Sequence, residues 1–235
     1  MIKHITQIAV TTAICLVLMS CDSAYYVPDS PHVPLLSNKG EVQASFQVGT
    51  AGSEIKTTWA ITEHSAVMLN GVYAKSFGGA LQTRIFAEAG YGYFYPLSDW
   101  FRLEAFSGVG YGIVDFYPFH EHQNFYSDPW DPHYDIHQYR GFVQPAIGIV
   151  TPFIDNGLAA RISVLDHHQP GLNVANLFVT PVLVSRKGYK WVRLSFKLGY
   201  SFKFGPLTDT RSIYARPWVF SYGIQVNLNR LYNEF

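Results

Sequence analysis

The stretch VRLSFKLGYSFKF, residues 192–204, alternates at every position. Val192, Leu194, Phe196, Leu198, Tyr200, Phe202 and Phe204 share one parity, while Arg193, Ser195, Lys197, Gly199, Ser201 and Lys203 share the other. Successive side chains of a strand point to opposite faces, so the pattern predicts one strand with an apolar face and a cationic face. Two kinds of sheet use such a strand. A soluble barrel buries the apolar face and wets the cations, whereas a membrane barrel turns the apolar face to lipid and the cations to its lumen. The rest of the chain has to decide between them.

Composition leans toward lipid. Charged residues make up 14% of the 235 positions, well below the usual quarter or so, while aromatics reach 16%. A formal net charge of zero gives no reason to expect a nucleic-acid partner, and the length suits one domain. Beyond the N-terminal segment no apolar run approaches the roughly 20 residues of a spanning helix, so any membrane span must be built from strands.

The N-terminus reads MIKHITQIAVTTAICLVLMSC. Lys3 and His4 precede a mostly apolar run from Ile5 to Leu18, the plan of a secretory signal peptide over residues 1–20. The run closes on Leu18-Met19-Ser20-Cys21, which resembles the lipobox of bacterial lipoproteins and implies a lipid on Cys21. Cys15 lies inside the signal and leaves with it, so the mature chain has no second thiol for a disulfide. Residues 21–40 contain Pro28, Pro31 and Pro34 and no strand pattern. They are expected to form an extended tether, ordered where Tyr25, Tyr26, Leu35 and Leu36 can lie on something.

From Glu41 to Phe235 short alternating runs follow one another without an amphipathic helix. We expect an all-β, antiparallel up-and-down transmembrane barrel of about ten strands, although eight or twelve would also fit. The runs lie near 42–48, 55–61, 66–75, 82–95, 100–117, 139–151, 158–165, 177–185, 192–204 and 218–228. TEHS, PLSD, PFIDNG and RKGYK make short connections on one side, and the other side carries longer ones, with TAGS the exception. Short turns on one face and long loops on the other characterise outer-membrane barrels. Both termini would then lie on the periplasmic, short-turn side, with the lipid of Cys21 in the inner leaflet. Trp59, Tyr73, Tyr91, Tyr93, Trp218, Tyr222 and Tyr232 fall on the apolar face or at strand ends, as girdle aromatics do. Pro145 and Pro181 argue against the pattern, since each removes a ladder donor from a predicted strand.

VPLLSNKGEVQASFQVGT followed by AITEHSAVMLNGVYA resembles the small outer-membrane β-barrel lipoproteins of the Bacteroidota type. The resemblance implies a fold and an outer-membrane location and carries no reaction. Asp22 would retain a lipoprotein at the inner membrane in enteric bacteria, which conflicts with that location unless sorting differs. Phe235 at the C-terminus resembles the signal read by the outer-membrane assembly machinery, an expected partner along with outer-membrane lipid.

With the apolar sets facing lipid, the lumen receives Lys56, Arg84, Arg102, Arg140, Arg161, Arg193, Lys197 and Lys203 against Glu88 and Glu104. A structural network of Arg84, Glu88, Arg102, Glu104, Arg161 and Arg193 is expected, with Gly90, Gly92, Gly108, Gly110 and Gly112 making room for the long cations. GVGYG, residues 108–112, matches a potassium filter only in spelling, because no pore helix precedes it. The loop 118–138 places His120, His122, His133 and His137 among carboxylates and aromatics, a set suited to capture of zinc or haem or to a protein partner. A barrel hydrolase is a further alternative. An omptin-like rim could use Asp131, His133, Asp166 and His167, and a lipase-like wall would need Ser163 with His167. The reading preferred is a non-catalytic outer-membrane barrel lipoprotein, a surface-exposed envelope or interaction component with no cofactor beyond the lipid on Cys21.

Overall fold

The computed structural model describes residues 26–76, 80–118, 134–169, 172–189, 191–207 and 217–228. The fold is all-β. The strands are β1 (Val42–Gly49), β2 (Gly52–Ala60), β3 (Ser65–Ser76), β4 (Ala80–Pro96), β5 (Phe101–Pro118), β6 (Tyr134–Val150), β7 (Ile154–Gln169), β8 (Leu172–Tyr189), β9 (Val192–Tyr200), β10 (Phe202–Pro206) and β11 (Trp218–Asn227). Each strand from β1 to β8 pairs antiparallel with the next. The ring then closes from β8 to β9, from β9 to β11 and from β11 back to β1. The segments β9 and β10 are two halves of one stave, so the result is a closed ten-stranded barrel without an edge.

The alternation at 192–204 translates directly into faces. Leu194, Phe196, Leu198, Phe202 and Phe204 stand exposed on the outer wall, with Leu194 at 67% of its free area. Arg193, Ser195 and Lys197 are buried inside. The same division holds for β1 and β2, where Phe46, Ile55 and Trp59 point out while Gln43, Gln47, Lys56 and Thr58 point in. This division, with cations inside and apolar residues outside, is the one a barrel surrounded by lipid uses and the reverse of a soluble core.

Several boundaries differ from the expected ones. Strands β6, β7 and β8 run past their predicted ends on the long-loop side, so Tyr134–Gln138 belong to β6 instead of a loop. Polar residues there (Asp135, His137, Asp166, His168) had hidden a period that the ladder itself maintains. The stave of the opening stretch is interrupted once, at Ser201, which leaves the strand pattern and takes the Thr180 hydroxyl as a hydrogen-bond partner at 2.8 Å. Pro181 is tolerated at that break, because β8 changes partner there from β9 to β10. Pro145 sits where the β6–β7 register skips two positions, between Val143↔Ile162 and Ala146↔Ala159. Both prolines therefore occupy strands, at points where the ladder has already lapsed.

Residues 21–40 carry the pattern of an extended tether, and its described part is residues 26–40. They run through the middle of the barrel. Tyr26 packs on Leu165, Val174 and Phe178, near the long-loop ends of β7 and β8. Leu36 packs on Ala60, Ala66, Phe94 and Phe106, beside the short turns. The Gly40 amide then bonds to the Ala60 carbonyl at 2.7 Å, and β1 begins. The chain thus crosses from the long-loop end to the short-turn end before the first stave. The expected placement of the N-terminal chain on the short-turn side is overturned: residue 26 lies at the opposite end from the start of β1.

Candidate functional site: a strap threaded through the lumen

Pro28, Pro31 and Pro34 recur every third residue, the period of a polyproline II helix. Such a chain advances about 3.1 Å per residue and makes no internal hydrogen bonds, so the eleven steps from Tyr26 to Ser37 cover roughly 34 Å with their carbonyls unpaired. Buried carbonyls need donors. The wall supplies them, one from each of five staves. Arg84 of β4 donates to the Val27 carbonyl and Lys56 of β2 to that of Ser30. Lys197 of β9 reaches the Pro31 carbonyl at 2.8 Å, Gln144 of β6 that of His32 at 2.6 Å, and Arg186 of β8 that of Pro34 at 3.2 Å. Strap amides meet carboxylates in the same way: Ser30 donates to Glu54 at 2.9 Å, Leu36 to Glu104 at 2.6 Å and Ser37 to Glu41 at 2.8 Å.

At the centre stands a buried charge cluster. Asp29 of the strap pairs with Arg140 and lies 3.3 Å from Arg161 and 3.9 Å from Arg84. Glu88 of β4 holds Arg140 at 2.7 Å and Arg161 at 3.1 Å, and it accepts a further bond from Asn70 at 2.7 Å. Arg161 also donates to the side-chain Oε1 of Gln144 at 2.7 and 2.9 Å. The guanidinium of Arg140 lies 4.2 Å from the centre of the Phe86 ring and that of Arg161 lies 4.4 Å from the Phe142 ring. Two carboxylates, one from the strap and one from the wall, thus share Arg140 and Arg161, and the strap's also reaches Arg84.

The glycines serve those rings first. A Cβ on Gly92 would fall 2.2 Å from the Phe106 ring, and Cβ atoms on Gly110 and Gly112 would fall 2.6 and 2.4 Å from Phe86. The expectation that they clear space for long cations is corrected at Gly110 and Gly112, which seat Phe86, the ring on which Arg140 stacks, while Gly90 meets Met68 and Gly92 seats Phe106. On β6, a Cβ at Gly148 would meet Leu35 at 2.5 Å, so this glycine leaves the pocket for the strap's last apolar turn. Leu35 itself adopts φ 57°, a left-handed conformation that costs a non-glycine residue about 1–2 kcal/mol. Burial against Val33, Ala146, Ala159 and Val184 offsets that cost. Beside Leu35, the space enclosed by Glu41, Gln43, Asp155, Arg193 and Gln225 is about 20 Å³, room for one water.

The expected network residues all point into the barrel, in three separate groups. Arg84, Glu88 and Arg161 meet in the central cluster. Arg193 pairs with Asp155 near the short turns. Arg102 bonds the Ser37 hydroxyl at 2.9 Å and the Ser98 and Asp99 carbonyls, while Glu104 takes the Leu36 amide. Lys203 is half-buried. Sequence reasoning missed Asp29, Glu41, Glu54 and Asp155 as interior acids and Arg186 as an interior base. A signal was present. Eight cations set against Glu88 and Glu104 alone demanded further acceptors, and the every-third-residue prolines marked an extended chain able to offer carbonyls.

Of the histidine set, His120, His122 and His133 lie outside the described residues, as do Cys21, Tyr232 and Phe235. His137 is a β6 residue opposite His168 of β7, with its Nδ1 2.8 Å from the Tyr111 hydroxyl. Among the described residues, no group of three or more His, Cys, Asp or Glu side chains is arranged to hold a metal ion. Ser163 and His167 both face the lumen and are buried, which removes them from the outer wall that a lipase-like site would require. Asp131 lies outside the described residues, and Asp166 bonds His168 at 2.7 Å on the outer face. Comparison with known proteins yields no matching family model and no matching curated relative.

Proposed function

We propose that the protein is a non-catalytic outer-membrane β-barrel lipoprotein whose lumen is closed by its own N-terminal strap, leaving the long-loop rim as the working surface. The observation that carries this reading is the inverted wall. On β5 the outward positions from Phe101 to Ile113 run roughly 40 Å along the strand at ~3.3 Å per residue, which a tilt of about 45° reduces to roughly 28 Å, the height of a hydrocarbon core. Aromatics border this band on both sides. Trp59, Tyr93, Tyr95, Trp100 and Tyr189 stand near the short turns, and Tyr73, Tyr111, Tyr139, Trp218 and Tyr222 near the long loops. Outward carboxylates begin only beyond the second border, at Asp115 and its cross-strand partner Asp135.

A threaded lumen favours a scaffold over a pore, since a path for ions would have to displace a strap bonded to five staves. A filled lumen also leaves recognition to the rim. Fractionation of cells expressing the wild type and Cys21→Ala tests the reading. Both forms should sediment with outer membranes and resist carbonate extraction, because the staves, and not the lipid, hold the protein there. Recovery of either form as a soluble periplasmic protein would refute the membrane barrel.

A further inference from the structure

We infer that the lipid-bearing N-terminus sits at the long-loop face, so that the acyl chains of Cys21 insert into the leaflet bordering the long loops and not the one bordering the short turns. The inference rests on the reading of Cys21 as an acylated residue in an outer-membrane barrel, and it fixes on which side of that membrane the modification lies. The carrying observation is the direction of the strap. Tyr26 is wedged between Leu165, Val174 and Phe178 with its ring 4.8 Å from that of Phe178, at the long-loop ends of β7 and β8. Val27 packs with Ala51 of the β1–β2 connection, which is on the same end of the barrel, and Arg84 of β4 binds its carbonyl there.

Chain length then excludes the other side. Five Cα steps lead from Cys21 to Tyr26 and span at most about 18 Å when fully extended. The apolar band of such a barrel is about 25 Å tall. A return through the lumen is closed, because the strap's own residues occupy it from Tyr26 to Ser37 and are bonded to Arg84, Lys56, Lys197, Gln144 and Arg186. A return outside the wall would carry peptide bonds through hydrocarbon without partners. The acylated residue is therefore confined to the long-loop interface. Because long loops face outward in barrels of this kind, that interface is the cell surface.

Cysteine accessibility on intact cells tests the inference in the full-length protein. Acylation consumes the Cys21 thiol and Cys15 is removed with the signal, so each introduced thiol would be alone. Ser23→Cys reports the start of the chain, Asn173→Cys the long-loop rim and Glu63→Cys a short turn. With a membrane-impermeant maleimide, Ser23→Cys and Asn173→Cys should label as fully on intact cells as after lysis, and Glu63→Cys only after lysis. An epitope inserted between Ser23 and Ala24 should likewise bind antibody on intact cells. Labelling of Ser23→Cys together with Glu63→Cys, on the side opposite Asn173→Cys, would overturn the threading. Exposure of Glu63→Cys alone would keep the shared side of Ser23 and Asn173 but overturn the surface assignment. Mass spectrometry of the N-terminal peptide separates these outcomes from failure of the parent reading: an unmodified Cys21, or equal labelling of all three sites on intact cells, would remove the lipoprotein or the barrel instead.

Discussion

Asp29 is the residue on which the interior depends most. Its carboxylate is 1% exposed and faces Arg140, Arg161 and Arg84, the first two of which also meet Glu88. Removing one partner of a buried ion pair leaves a charge that neither water nor the protein compensates, at a cost of about 3–5 kcal/mol. Asp29→Asn keeps the shape and removes the charge. We expect it to lower the unfolding free energy of the detergent-solubilised barrel by an amount in that range, measured by urea titration read through loss of heat-modifiable gel mobility. Asp99→Asn, at an exposed turn, should change stability by less than about 0.5 kcal/mol. Equal stabilities for Asp29→Asn and the wild type would mean that the strap is not seated by its charge. Asp29 is invisible to strand-pattern reasoning because it belongs to no strand. Its role is set by Arg84 and Glu88 of β4, Arg140 of β6 and Arg161 of β7, which closure of the barrel brings together around the strap.

At the scale of elements, strap and staves exchange what each lacks. A closed barrel satisfies every ladder group and leaves its inward cations in search of acceptors, whereas an extended proline-rich strap offers carbonyls and has no ladder. Lys56, Lys197 and Arg186 are among the side chains that join the two, and this explains a cationic face on strands with few acidic neighbours. Deleting residues 26–37 removes the acceptors and the filling together. We expect planar-bilayer recordings to show no steady conductance for the full-length protein and an anion-selective conductance for the deletion, since Arg84, Arg140, Arg161 and Lys197 would then line the opening. A deletion variant that remains silent would show that the wall side chains close the lumen unaided.

For the whole molecule, the decisive question is what solvent meets the outer wall. Val109 lies on that wall at mid-height of β5 and is 69% exposed. In water, an exposed Val109→Arg substitution would be close to neutral. In a bilayer it places a cation in hydrocarbon, at a cost of about 2–4 kcal/mol near the midplane. We expect urea titration of the barrel refolded into vesicles to show a loss of that size for Val109→Arg. An Arg at Glu63, in the short turn beyond the band, should leave stability within about 1 kcal/mol of the wild type. Equal and negligible effects would place both sites in water and return the chain to the soluble class.

Most of the barrel was legible in the sequence because side-chain alternation is a local property. Val192 to Phe204 state their own faces, and so do β1 and β2, without reference to any other part of the chain. Ends were less legible where outward residues turn polar, as at Asp135 and His137 in β6, since the apolar marker stops before the hydrogen-bonded ladder does. Local alternation also fixes that the cations share one face, but it does not say what they bind. That was decided by closure. Only when β8, β9 and β11 complete the ring do Arg84, Lys56, Lys197, Gln144 and Arg186 converge on one axis, and only then does a segment with no strand pattern acquire a buried path through the centre. The sequence alone determined which residues share a face. The tertiary structure decided that the interior is occupied by the chain's own strap and from which end it comes, because a lumen is a property of the ring as a whole and no single strand contains one.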